Sequence, residues 1–200
     1  MRLQRRTMFM AALAVLAAVP GVAKLFGREN AWAAASPPKS TLRLEVDLSE
    51  RRLKMYEADT LVWQYPISPG QPSYPTPPGN YSIRHLVWNP SWTPPPNAAW
   101  AKKYARQEPG APANPMKVVK IFFKEPDYYI HGTGDINSLG KAESHGCLRM
   151  DPEHVAEVAK FVMEHGGEPR DENWFWRIIH FRSEEKSIYL KNPVPLVVRS

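Results

Sequence analysis

Two short clusters, separated by a polar loop, hold the residue types that acyl transfer by a thiol requires. The first is Tyr128-Tyr129-Ile130-His131-Gly132-Thr133, and the second is Ser144-His145-Gly146-Cys147-Leu148-Arg149-Met150. A free thiol has a pKa near about 8.5, so only a small share is thiolate at neutral pH. An imidazole can take the thiol proton, a third group must hold that imidazole in one tautomer, and backbone N–H groups must face the oxyanion that forms. His131 ends an apolar run, which would fix its ring on a rigid strand. Cys147 follows Gly146, where the missing Cβ allows close approach of backbone and substrate. The amides of Gly146 and Cys147 are candidates for the oxyanion site. His145 is either a second base or a residue that shapes the backbone.

Other readings of the same residues stay open on the residues alone. Cys147 is the one Cys in the chain, which excludes an intramolecular disulfide. It leaves an intermolecular bond, a reactive thiol or an inert buried side chain. His131, His145 and Cys147 are legitimate zinc ligands, but no fourth ligand and no close ligand pair accompanies them. His85, His154, His165 and His180 read as surface or structural histidines. Trp88, Trp92 and Trp100, each judged alone, read as packing.

The elements that must position the two clusters are mostly strands. Leu42, Leu44, Val46 and Leu48 alternate with Arg43, Glu45 and Asp47, the period of a half-buried strand. Turns at Ser49-Glu50-Arg51 and Ala58-Asp59-Thr60 lead into strands over 52–57 and 61–67, a three-stranded meander. Residues 66–115 hold thirteen of the 21 prolines. A strand over 81–86 fits inside that stretch, whereas Asn89-Pro90-Ser91-Trp92-Thr93-Pro94-Pro95-Pro96 excludes regular structure, because each Pro removes a donor and restrains its predecessor. A stiff loop rich in aromatics reads as a lid or binding wall. Strands are expected again over 118–123 and 128–131. Asp151 then caps a helix with Pro152 at its first position, Val155, Val158, Ala159 and Val162 on one face, and Gly166-Gly167 at its end. A shorter helix over 171–182 and a strand over 187–198 complete one mostly β domain.

Residues 1–33 have the plan of a secretory signal. Arg2, Arg5 and Arg6 precede an apolar run from Met8 to Ala23, and Ala31-Trp32-Ala33 supplies small residues at cleavage spacing. The apolar run is short of the length, about 20 residues, that spans a bilayer, so the alternative, an uncleaved anchor, is the weaker one. Arg5-Arg6-Thr7-Met8-Phe9 loosely matches a twin-arginine signal, and the export route stays open. Residues 34–40 read as a linker and 41–200 as the domain. The whole chain carries +6, but without residues 1–33 it holds 21 basic and 19 acidic side chains. A net of +2 makes no case for nucleic acid.

The Ser144 to Met150 run, with His131-Gly132-Thr133 upstream, resembles the signature of the L,D-transpeptidase catalytic domain, the YkuD family. That pattern is a His, a spacer, then Ser or Thr-His-Gly-Cys, a hydrophobe, and Asn or Arg. Twelve residues separate His131 from Ser144, similar to shorter-spaced members of gram-negative type. Tyr74-Pro75-Thr76-Pro77-Pro78-Gly79-Asn80-Tyr81 resembles the family's Thr-Pro-x-Gly-x-Tyr segment, and Asn89 to Pro95 its Trp-x-Pro-Pro loop. The match runs over residues 41–163 and more weakly through the final strand, with 166–187 only loosely similar.

The resemblance implies a β-sandwich catalytic domain with one or two short helices. Cys147 would attack a peptide carbonyl, and His131 would deprotonate the thiol and then protonate the leaving amine. The Gly132 carbonyl would orient His131. Ser144, His145 and Gly146 would shape the pocket and oxyanion site, and Arg149 would orient substrate or brace the loop. The implied substrate is a peptidoglycan tetrapeptide stem, cut between diaminopimelate and the terminal D-Ala in the periplasm. The acyl group would pass to a neighbouring stem, a D-amino acid, a wall-attached lipoprotein or water. No metal or organic cofactor is implied, and carbapenems are expected to acylate Cys147. Three rivals are a hydrolase of the same family, a cysteine protease of ordinary peptides, and a non-catalytic wall-binding domain. The last predicts loss of Cys147 or His131, and both are present.

Overall fold

A computed structural model describes residues 41–200 of the chain. The expected signal segment, 1–33, and the expected linker, 34–40, lie outside the described residues. The strands are β1 (Leu42–Asp47), β2 (Arg52–Glu57), β3 (Thr60–Pro66), β4 (Gly79–Trp88), β5 (Lys117–Lys124), β6 (Tyr128–Gly132), β7 (Leu148–Met150) and β8 (Lys186–Arg199). Two helices, α1 (Pro152–His165) and α2 (Glu172–His180), lie between β7 and β8.

The expected meander is present: β1 pairs antiparallel with β2, and β2 with β3. Leu42, Leu44 and Val46 are buried, as are Leu53 and Met55 across the ladder, so the period-two pattern marks the core face. β3 begins and ends one residue earlier than 61–67. β4 extends beyond 81–86 at both ends, because β8 pairs along nearly its whole length. α2 is shorter than the expected 171–182 and starts after Asp171, whose side chain accepts from the Trp174 N–H.

All eight strands belong to one sheet in the order β3-β2-β1-β8-β4-β5-β6-β7. The linear order closes on itself. The residue pair Ser68 and Arg149 exchange backbone hydrogen bonds at 2.9 and 3.0 Å, which ties the exit of β3 to β7 at the opposite edge. This closure leaves the sheet curled as a sandwich around α1, which touches β1, β8, β5 and β6. Val155, Val158, Ala159 and Val162 of α1 are fully buried. The Asp151 carboxylate accepts from the Glu153 and His154 N–H groups, satisfying donors that the first turn leaves open. The Tyr65 hydroxyl donates to Glu157 at 2.9 Å, fastening the helix to β3.

β7 was not expected, and it accounts for the spacing of the two clusters. It runs parallel to β6. Parallel neighbours need a crossover of about a dozen residues or more, and residues 133–147 supply it.

Candidate active site

The β6–β7 register sets Ile130 beside Leu148 and His131 beside Arg149. Ile130 and Leu148 are fully buried in the core. Alternation turns Tyr129, His131 and Cys147 to the other face, where all three line a cleft of about 560 Å3. The two candidate catalytic side chains are thus brought together by a strand pairing, at the edge of a rigid sheet.

His131 is 4% exposed. Its Nδ1 lies 2.8 Å from the Gly132 carbonyl oxygen. A carbonyl only accepts, so Nδ1 carries the hydrogen and Nε2 keeps its lone pair. Burial pushes the His131 pKa down to about 3, against the pull of the Gly132 hydrogen bond; the Arg149 and Lys120 charges add to the depression. His131 is therefore a neutral base in one tautomer. Gly132 is needed for its size, since a Cβ there would lie 2.4 Å from the Lys117 carbonyl oxygen on β5.

Cys147 is half-buried, and its Sγ donates to the Asp127 carbonyl at 3.2 Å. Burial pushes the thiol up to about 11. Hydrogen bonds from the Tyr129 N–H and phenol, and the Lys120 charge, act the other way, while Asp127 adds to the rise. At neutral pH the pair is a thiol beside an uncharged imidazole. Among the described residues no hydrogen bond joins Sγ to His131.

The turn carrying Cys147 is braced from two sides. The Ser144 hydroxyl donates to the Cys147 carbonyl and accepts from the Gly146 N–H at 3.1 Å. The Gly146 amide, expected at the oxyanion site, is therefore engaged within the turn. Gly146 takes φ +109, which favours glycine, and a Cβ there would press on the Tyr128 ring at 3.0 Å. Thr76 is buried and donates to the Gly146 carbonyl at 2.8 Å while accepting from the Gly70 N–H at 2.9 Å. The Tyr74 to Tyr81 segment thus serves as a strut under the Cys147 turn.

His145 is exposed. It stacks on Trp100 with ring centroids 3.9 Å apart and touches the Tyr74 ring at 4.9 Å. Partial burial and the Arg149 charge lower its pKa. Its ring joins the cleft wall to the loop opposite. Arg149 lines the cleft and reaches Asp135 at 3.5 Å.

The proline-rich loop is a wall of this cleft. Trp92 and Gln107 exchange backbone hydrogen bonds at 2.9 and 2.8 Å. Buried Asn114 donates to the Pro90 and Glu108 carbonyls and accepts from the Met116 N–H. Side-chain bonds order a segment whose prolines prevent a ladder. Trp92 and Trp100 line the cleft, whereas Trp88 is core, its Nε1 donating to the Met163 sulfur. His85 lies buried between the Phe122 and Tyr189 rings. Among the described residues no group of three His, Cys, Asp or Glu side chains is placed to hold a metal ion.

Three contributors to the site escaped the sequence reading: Tyr129, Lys120 and the Asp127 carbonyl. Tyr129 was recoverable, since it sits two positions before His131 on one strand face. Lys120 requires the β5–β6 register, which sets it beside His131.

Comparison with known proteins supplies a family and a fold. The YkuD family, described as the L,D-transpeptidase catalytic domain, matches residues 41–180. The YkuD protein of Bacillus licheniformis is 32% identical over 127 residues, covering 64% of each chain. That of Bacillus subtilis is 28% identical over 119 residues, covering 60% of this chain and 59% of the other. The matched region is thus less than two thirds of either relative's length. The solved catalytic domain of the E. faecium L,D-transpeptidase superposes with a TM-score of 0.50 at 16% identity, covering 81% of this chain and 99% of that one. An L,D-transpeptidase from Mycobacterium smegmatis gives 0.50 at 14% identity, covering 80% and 59%. At such identities the likeness speaks for the fold alone. On the strength of the family match over residues 41–180, the chain belongs to the L,D-transpeptidase catalytic domain (YkuD) family.

Proposed function

We propose that the protein is an exported L,D-transpeptidase that cuts a peptidoglycan tetrapeptide stem between diaminopimelate and D-Ala. Cys147 is its nucleophile and His131 its general base. The observation that carries this reading is the placement of both side chains in one cleft on paired strands, with the Gly132 carbonyl fixing the His131 tautomer.

A stem carbonyl entering the cleft displaces the Sγ–H from the Asp127 carbonyl. The proton passes to His131 Nε2 as Sγ bonds to the carbonyl carbon. With the Gly146 amide engaged by Ser144, the Cys147 N–H is the backbone donor for the oxyanion. Collapse expels D-Ala, whose amine takes the proton from His131, and leaves a thioester. An acceptor amine then attacks the thioester as His131 takes its proton; collapse breaks the C–S bond, and that proton returns from His131 to Sγ. Arg149 and Lys120 disfavour a lasting imidazolium, so the proton is readily returned to the leaving amine. Arg149, which lines the cleft, orients the stem.

The acceptor is an amine of a neighbouring stem, a D-amino acid or a lipoprotein. Location in the periplasm rests on the signal plan of residues 1–33. The test is chromatography and mass spectrometry of products from purified disaccharide-tetrapeptide. Released D-Ala with a cross-linked dimer supports transfer, and tripeptide alone assigns a hydrolase. No release of D-Ala by folded wild-type protein would contradict the reading.

A further inference from the structure

Beside the thiol lies a cluster that the mechanism above does not use. Lys120 of β5 pairs in register with His131 of β6, so its side chain leaves the sheet on the cleft side. Its Nζ donates to the Ser91 carbonyl at 2.8 Å and sits 5.0 Å from the centre of the Tyr129 ring. Among the described residues it forms no ion pair: Glu185 favours its charge from a distance, and Arg106 opposes it. Tyr129 in turn lines the same cleft as Cys147, one position before Ile130, just as Cys147 stands one position before its pairing partner Leu148, and its ring lies edge-on to His131 at 5.6 Å. An ammonium that stays half-buried with one carbonyl and one ring face for company costs desolvation, which the charge of Glu185 offsets only in part. The Cys147 sulfur becomes an anion in the reaction, and its charge favours the ammonium.

We propose that Tyr129 is a further catalytic residue, whose phenol donates to Cys147 Sγ as negative charge develops there, and that Lys120 is its positioning residue. Lys120 seats its ammonium on the Tyr129 ring, ties that ring to the proline-rich loop through the Ser91 carbonyl, and supplies the countercharge for the sulfur. Burial, then the Cys147 charge and hydrogen bond, hold the Tyr129 phenol well above its usual pKa, so it stays a donor while the thiol ionises. This inference rests on Cys147 being the nucleophile. The other titratable groups facing the thiol are His131 from β6, Asp127 from the β5–β6 turn, Arg149 from β7 and His145 from the crossover loop.

The test is the pH profile of Cys147 alkylation by iodoacetamide, in which the thiolate displaces iodide and no substrate is needed. The proteins are wild type, Lys120→Met, Lys120→Arg and Tyr129→Phe, each checked by thermal unfolding. Lys120→Met and Tyr129→Phe are expected to move the midpoint to higher pH. The rate below the midpoint should fall about tenfold for each pH unit that the midpoint rises. Lys120→Arg, which keeps the charge, should stay near wild type. A folded Tyr129→Phe with the wild-type profile overturns the role of the phenol. A wild-type profile in folded Lys120→Met, or one in Lys120→Arg displaced as far as in Lys120→Met, overturns the role of the charge. Should Lys120→Met not fold, Lys120→Gln takes its place with the same expected and overturning results. Because alkylation needs no stem peptide, failure of the transpeptidase reading would show separately, as absent D-Ala release by wild type.

Discussion

The Cys147 thiol points its hydrogen at the Asp127 carbonyl oxygen, 3.2 Å away, rather than at His131 in the same cleft. Sγ–H and imidazole are both uncharged at rest, because burial raises the one and lowers the other. Such a site holds no standing ion pair. Its reactivity is called up when a carbonyl displaces the Asp127 contact and the proton moves to Nε2. A half-buried neutral thiol is also guarded against oxidation, since the thiolate is the reactive form.

The pKa of His131 gives a stability prediction. Its folded value, about 3, lies below the unfolded value of about 6.5. The unfolded chain thus binds more protons in that window, and stability is lost as pH falls from about 6.5 toward 3. The slope from this one group is at most about 1.4 kcal/mol per pH unit. Urea unfolding of wild type and His131→Asn between pH 6.5 and 4.5, above the ordinary carboxylate range, should show a flatter dependence in the variant. Equal slopes would contradict a buried neutral His131.

Gly132→Ala places a methyl 2.4 Å from the Lys117 carbonyl oxygen. Backbone must move, so β5 and β6 separate locally and the carbonyl that holds His131 shifts. Overpacking of this kind costs about 1–3 kcal/mol. Turnover should fall about 10- to 100-fold through misplacement of the base. Thermal unfolding and a D-Ala release assay check the two parts.

Thr76→Val keeps shape and removes a hydroxyl that serves both the Gly146 carbonyl and the Gly70 N–H. Two buried backbone groups lose their partner, for a loss of about 1–3 kcal/mol in stability. The Cys147 turn is loosened, so hydrogen exchange at Gly146 and Cys147 should quicken while amides in β1 and β2 keep their protection.

Trp100→Ala removes the ring stacked on His145 and opens the wall of the cleft. The Trp100 ring stacks on His145 rather than on His131, so KM should rise by about 2- to 10-fold, the worth of one aromatic pair, with kcat nearly kept. A fall in kcat at unchanged KM would place Trp100 in the chemistry instead.

Much of this was legible in residue order. Period-two alternation marked Leu42, Leu44 and Val46 as a core face, and Asp151-Pro152 with its valines marked α1, because those signals are local. That His131 and Cys147 would stand near each other was legible through residue types and resemblance, and both line one cleft. β7 was not, since three residues are too few for a period and its strand character comes from pairing with β6. Nor was the Ser68–Arg149 closure, a contact between distant segments. Lys120 looked like an ordinary strand lysine, and only the β5–β6 register shows that it lies beside His131.

The central claim is that Cys147 is an activated nucleophile in a pocket shaped for peptidoglycan stems. Intact-protein mass spectrometry of residues 34–200 after incubation with a carbapenem tests it most directly, with Cys147→Ala alongside. One carbapenem added per wild-type chain and none on the variant is the predicted result. Folded wild-type protein that stays unmodified, or a variant modified equally, would contradict it.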